Sequence, residues 1–223
     1  EDGSAIYIEH GYFAFDFPHE RVNDTLGVIK LGPGYDTVRR ALAEVRAETG
    51  IPLQGYGDID ADTVASITGL SPAAARLARQ REFHETIVSR LTNREAAYVA
   101  AALASRGLRL TRGGRFFGAG GPGDKGTAVA ALAKLFQRKL GPVELVGLGD
   151  SHNDVAMLTA VDVAALVQKS DGTWERVPTR GIRRVQGVGP AGWNDFVTHY
   201  LTHGAGQSVP RRRVRARADN VRG

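Results

Sequence analysis

The chain has 223 residues, 42% of them apolar and 24% charged, with no cysteine and a net charge of +5. That mixture supports one large or two modest domains around a buried core. It excludes a disulfide framework or a thiolate metal site, and it makes the reducing cytoplasm the expected compartment. The apolar runs are short and broken by charge, well below the ~20 residues a spanning helix needs, so no membrane partner is expected. The charge is local: Ser208 to Gly223 holds six arginines and one aspartate, which leaves the remainder neutral. A basic, disordered tail is expected over 205–223. No basic stripe with interleaved aromatics occurs elsewhere, so no nucleic-acid partner is expected. The chain opens on Glu1, without methionine, directly before strand-like Ala5-Ile-Tyr-Ile8, which suggests a missing preceding segment.

Val28 to Leu31 reads as a strand, and Val38, Ala41, Leu42 and Val45 recur at helical spacing over 35–49 before the stop at Gly50. Pro52 to Gly57 reads as a further short strand. Ser71-Pro72 is an N-cap with a first-turn proline, opening a helix to about Arg81. Phe83 to Leu91 reads as a strand, and Asn93 as the cap of an alanine-rich helix ending at Gly107. Leu108 to Arg112, a Gly-Gly turn and Arg115 to Phe117 form a hairpin signal. Residues 30–118 are therefore expected to form an α+β module with antiparallel pairing.

The pattern changes after Gly118. A glycine-rich loop leads into a helix from Lys125 with Val129, Leu132, Phe136 and Leu140 on one face. Val143 to Gly149 suits a buried parallel strand. A helix over 152–158, a strand over 161–167 and a closing helix over 190–201 follow. Such alternation predicts a doubly wound α/β layer, with ligands beyond the carboxyl ends of its strands.

Two short segments carry chemistry. Gly149-Asp-Ser-His-Asn-Asp154 directly follows the apolar strand, so Asp150 and Asp154 fall where such a sheet binds ligands, and two carboxylates there suit a hard cation such as magnesium. A helix cap would need only one of these polar residues, whereas the loop offers four. Gly123-Asp-Lys-Gly126 opens the preceding helix, and Lys125 beside free N–H groups at a positive helix end suits a phosphate. A lone lysine would read as solvated surface; with the acidic loop one helix and one strand later, the pair points to phosphoryl chemistry. His152 has no neighbouring histidine and reads as a surface residue. Neither segment supplies a nucleophile.

Gly123 to Gly126 with Gly147 to Asp154 resembles the third and fourth motifs of the haloacid dehalogenase superfamily of phosphatases. Glu1-Asp-Gly-Ser-Ala-Ile-Tyr-Ile8, Gly55-Tyr-Gly-Asp58, Gln80-Arg-Glu-Phe83, Gly113-Gly-Arg-Phe116 and Gly187-Val-Gly-Pro-Ala-Gly-Trp-Asn194 resemble the mannosyl-3-phosphoglycerate phosphatases, over residues 1–203. The resemblance implies a doubly wound core over 1–29 and 119–204 and an inserted α+β cap over 30–118. It implies magnesium as cofactor and hydrolysis of a small sugar phosphate, mannosyl-3-phosphoglycerate, through an aspartyl-phosphate. Lys125 would stabilise the phosphoryl group, and Asp150 and Asp154 would serve the metal. Asn153, Arg81, Glu82 and Arg115 would contact substrate. Rival readings are a phosphatase for glucosyl-3-phosphoglycerate or sucrose phosphate and a non-catalytic sugar-phosphate-binding remnant.

Two departures from the family stand out. Its opening Asp-x-Asp-Gly-Thr motif, which supplies the nucleophile, does not occur, so the chain is expected to start inside the family's length and to lack turnover. Asp2 stands where asparagine is usual.

Overall fold

The computed structural model describes residues 1–113, 115–177 and 181–203. The expected basic tail over 205–223 lies outside these. Two units divide the chain, Glu1–Ala128 and Val129–Gly223.

The first unit opens with β1 (Ala5–Glu9), β2 (Glu20–Arg21) and β3 (Leu26–Lys30), an antiparallel sheet in the order β1-β3-β2. Ile6 and Ile8 point inward while Tyr7 and Glu9 face out, the period of two that one-sided burial imposes. Helix α1 (Tyr35–Thr49) buries Val38, Ala41, Leu42 and Val45, and ends at Gly50, whose φ of 67° is a left-handed C-terminal stop. Helices α2 (Ala61–Thr68) and α3 (Pro72–Arg79) pack around Val64, Ala75 and Tyr56.

The strand β4 (His84–Ile87), helix α4 (Asn93–Ala104) and the hairpin β5 (Arg109–Arg112) and β6 (Phe117–Gly120) complete this unit. The sheet is antiparallel in the order β4-β6-β5, with β6 in the middle. One face meets α1 and α4 in a core containing Leu42, Val45, Ile87, Val99, Leu103 and Ala119. Helices and antiparallel strands alternate from α1 to β6.

In the second unit β7 (Val146–Gly149), β8 (Val163–Gln168) and β9 (Ile182–Val188) form a parallel sheet in that order. The run Val163 to Val167 is buried on both faces. Leu166 and Ala164 pack with Leu158 of α6 (Val155–Ala160) and with Val129. Val163 and Ala165 pack with Phe196 of α7 (Pro190–His203). Helices on both faces of a parallel layer are the α/β arrangement expected. The glycines of Gly187 to Asn194 have a packing role: Gly187 has φ 103°, and a Cβ on it would lie 2.7 Å from Gly192 Cα.

Several expected elements differ. Pro52 to Gly57 is not a strand; it makes one bridge, Gly55 to Ile87, and a 3-10 turn over Tyr56–Asp58. The cause is Glu85, whose carboxylate takes the N–H groups of Tyr56 (3.1 Å) and Gly57 (3.1 Å), leaving neither for a ladder. The cap of α4 is Thr92 rather than Asn93: Thr92 Oγ1 accepts from Glu95 N while the Glu95 carboxylate accepts from Thr92 N, a capping box. Helix α2 and strand β9 had no clear sequence signal.

Candidate active site

Helix α5 (Lys125–Leu140) puts Lys125 in its first turn. The Asp124 carboxylate accepts from Thr127 N at 2.8 Å and Thr127 Oγ1 at 3.1 Å, which fixes the start of the helix. Three neighbouring segments brace this loop. Arg109 Nη2 donates to the Gly123 carbonyl at 2.9 Å, with Nη1 3.7 Å from Asp124. A Cβ on Gly3 would lie 2.3 Å from the Asp124 carbonyl carbon and 2.6 Å from Lys125 N, so only glycine permits this approach. Beside it, Leu31 to Pro33 runs against Gly121 to Gly123: a Cβ on Gly121 would lie 2.9 Å from Gly32 Cα.

Asp2 has φ 55°, the one left-handed non-glycine among the described residues. Asparagine and aspartate tolerate that region better than other side chains. An aspartate in the asparagine position therefore keeps the turn that brings Gly3 against Asp124.

The acidic loop follows β7. Asp154 is buried, and its Oδ2 accepts from Asp150 N (3.0 Å), Ser151 N (3.1 Å) and Ser151 Oγ (2.9 Å). Ser151 Oγ also reaches Asn153 Oδ1. A Cβ on Gly149 would lie 2.4 Å from Asp154 Cβ, so the glycine lets Asp154 tuck beneath the strand end. Asp150 and His152 are exposed. The two aspartates thus do different things: Asp154 folds the loop, and Asp150 presents a carboxylate to solvent beyond the sheet.

The residues expected to touch substrate separate as well. Arg81 lies over the Tyr56 ring at 5.5 Å and donates from Nη2 to Thr86 Oγ1 at 3.1 Å. Glu82 accepts from the Tyr7 hydroxyl; burial first, and then this carboxylate, push the Tyr7 phenol up to about 12. Arg115 donates to the carbonyls of Ile67 (2.6 Å) and Thr68 (3.2 Å), closing the C-terminus of α2. The structure brings Arg81 and Glu82 together before β4 and sets Arg115 on a helix end.

Two groupings had gone unread. Glu85 is wholly buried and accepts from Tyr35 Oη (2.7 Å), Arg39 Nη1 (2.9 Å), Thr86 N (2.7 Å), Tyr56 N and Gly57 N. Asp58 pairs with Arg39 and Arg46, and the Arg39 guanidinium above all holds its carboxyl down at about 2. The other grouping is the opposite face of the same sheet, where His84 and Thr86 on β4 and Arg109 and Thr111 on β5 flank Gly118 and Gly120. The alternation His-x-Thr, Arg-x-Thr and Gly-x-Gly in three paired strands was its signal.

No family model matches the chain. A glucosyl-3-phosphoglycerate/mannosyl-3-phosphoglycerate phosphatase of Methanococcoides burtonii is 36% identical over 198 residues, 88% of this chain and 73% of that protein. The chain belongs to this phosphatase family. A second member, the glucosyl-3-phosphoglycerate/mannosyl-3-phosphoglycerate phosphatase of Persephonella marina, is 32% identical over 203 residues, covering 90% of this chain and 74% of its own. Among solved structures, a haloacid dehalogenase-like hydrolase from B. subtilis aligns over 76% of this chain and 69% of its own, with a TM-score of 0.41 and 16% identity. The family expected from the motifs is the one these relatives show.

Proposed function

We propose that the protein is a magnesium-dependent phosphatase of the haloacid dehalogenase superfamily that acts on mannosyl-3-phosphoglycerate, giving mannosylglycerate and phosphate. Kinship to phosphatases named for this ester carries the reading, and the two loops supply the chemistry it needs. Lys125 at the opening of a 16-residue helix combines a point charge with the positive end of the helix, an arrangement that holds phosphate. Balancing charge on a transferring phosphoryl group in this way is the larger part of such catalysis.

The acidic loop fits magnesium through its donor set. Magnesium is held by one or two carboxylates and keeps several waters and substrate oxygens. Asp150 offers one exposed carboxylate of that kind. Among the described residues no three His, Cys, Asp or Glu converge, as a fully protein-made cage would require. Asp150 would be the direct ligand, while Asp154 and Asn153 hold the loop that presents it. Bound there, magnesium would neutralise phosphate charge.

Residues 30–118 would be a cap over the sugar. Their entry, Leu31 to Pro33, and their exit, Gly121 to Gly123, run side by side, as an inserted module requires. Glucosyl-3-phosphoglycerate is a second substrate reading, favoured by the double name of both relatives.

Calorimetric titration with mannosyl-3-phosphoglycerate in the presence of magnesium tests the proposal. Lys125→Ala and Asp150→Ala should each weaken binding by at least about tenfold, the effect of one charge-assisted contact. Competition with the glucosyl ester and sucrose 6-phosphate ranks the hexose. Equal binding by wild type and both variants would sink the reading.

A further inference from the structure

We infer that a cavity at the carboxyl end of β4 binds a short-chain monocarboxylate, free of phosphate, through Arg46, Gln54, Ser89 and Arg90. It shares no residue with the loops at Lys125 and Asp150, and it stands apart from the phosphatase reading.

One helix end and two segments form the walls. Arg46 comes from the last turn of α1, Pro52 to Gln54 from the stretch just after that helix, and Ser89 and Arg90 from the stretch after β4. Arg81 and Glu82 precede β4, at its other end. Backbone bonds tie the walls together: Gly55 bridges Ile87, Val88 N donates to the Gln54 carbonyl at 2.8 Å, and Gln54 N donates to Ser89 Oγ at 2.7 Å. The space is therefore preformed, which lowers what a ligand must spend on ordering it. Its volume of 530 Å³ suits a small molecule, for which about 300–1,000 Å³ is usual. Pro52 and the buried Leu53 supply an apolar floor.

The polar part of the lining donates and has little left to accept with. Asp58 is its one carboxylate, and it is already engaged. Both oxygens accept from Arg39, and Oδ2 also accepts from Arg46 Nη2 at 3.1 Å and Gly55 N at 2.8 Å. Ser89 Oγ accepts from Gln54 N, so its O–H remains to donate. Arg46 gives Asp58 only Nη2 of its fork. Arg90 makes no hydrogen bond or ion pair with any described residue. Counting Arg39, Arg46 and Arg90 against Asp58 and Glu85 leaves one positive charge, at the side chain that is unengaged.

These features select the ligand. A guanidinium fork matches the plane and spacing of a carboxylate, and a single surplus charge balances a monoanion. A phosphate dianion would set a second negative charge beside Asp58 with nothing to offset it. The Ser89 hydroxyl and the Gln54 amide add neutral donors, and the Pro52-Leu53 floor takes a short hydrocarbon body.

Butyrate is the probe, with butyramide as its uncharged counterpart, in titrations of the full chain followed by the amide resonances of Gln54 and Ser89. Butyrate should shift both saturably, with half-saturation at about 1–10 mM, and butyramide should need at least about tenfold more. Arg90→Gln should weaken butyrate at least about tenfold at an unchanged melting temperature, because Arg90 bonds to nothing described in the protein. Arg76→Gln, which removes another exposed arginine from α3, should leave binding unaltered. The inference is overturned by linear shifts that never saturate, by equal affinity for acid and amide, or by Arg90→Gln binding like wild type. An equal loss in Arg76→Gln overturns it too, as a sign of diffuse charge. Inorganic phosphate that shifts these two amides at lower concentration than butyrate overturns the choice of a carboxylate.

Discussion

The two faces of the β4-β6-β5 sheet treat polar groups in opposite ways. On the inner face Glu85, in the middle of an apolar core, gathers five donors from Tyr35, Arg39, Tyr56, Gly57 and Thr86. Every oxygen lone pair is spent on holding one loop and one helix against the strand. On the outer face, one residue away in sequence, His84 lies on bare backbone with Nε2 unpartnered. A polar group satisfied from within is architecture, and one left unpartnered is a cost that the rest of the fold offsets. The acidic loop repeats the contrast over a shorter distance, with Asp154 spent on its own loop and Asp150 turned outward.

Substitutions should separate these classes by size and sign. Glu85→Ala leaves Arg39 without its buried partner and should lower the free energy of unfolding by about 3–5 kcal/mol in urea denaturation. A loss under about 1 kcal/mol would show that this network does not hold the inner face. Asp154→Ala strands the N–H groups of Asp150 and Ser151 and should cost about 1–3 kcal/mol, with faster amide exchange at those two residues. Tyr35→Phe removes a single hydrogen bond to a carboxylate and should cost about 1 kcal/mol. His84→Leu should change stability by less than about 1 kcal/mol, in the stabilising direction, because it removes a buried unpartnered nitrogen. A large loss there would make His84 architecture too and erase the distinction.

The pH profile gives the same division. Asp58 is held at about 2 by Arg39, below the ~3.9 of an unfolded chain, so its stabilisation is complete above about pH 4 and disappears as pH falls toward 2. Asp58→Asn should flatten that acid limb in thermal melts. His84 is also depressed, so protonation favours the unfolded chain and stability declines as pH drops below about 6.5; His84→Leu should flatten only that limb.

The residues that repeat with a period or sit at a cap were readable without coordinates. Val38, Ala41, Leu42 and Val45 marked α1, Ser71-Pro72 marked α3, and the apolar run before Gly149 marked β7. The two chemical loops were legible because glycine, lysine and aspartate fell beside helix and strand ends. What escaped depended on long-range pairing. Pro52 to Gly57 had the composition of a strand, but Glu85, some thirty positions later, takes its amides. Asp60 capping α2 looked like any loop aspartate, although it accepts from Thr63 N at 2.7 Å. Nothing local revealed that Ile67 and Thr68 would be acceptors for Arg115. The outer face needed the register of three strands before its four polar residues, His84, Thr86, Arg109 and Thr111, became one surface.

The side-by-side passage of Leu31 to Pro33 and Gly121 to Gly123 has a consequence for how such a chain can be rebuilt. Gly32 and Gly121 are close enough that a Cβ on one would nearly touch the Cα of the other. The nearly ninety residues between them leave and return through a single doorway, so a short linker there could replace them with little distortion of the ends. The segment is in that sense a cassette that could be moved whole, leaving the loops at Lys125 and Asp150 in their native sequence.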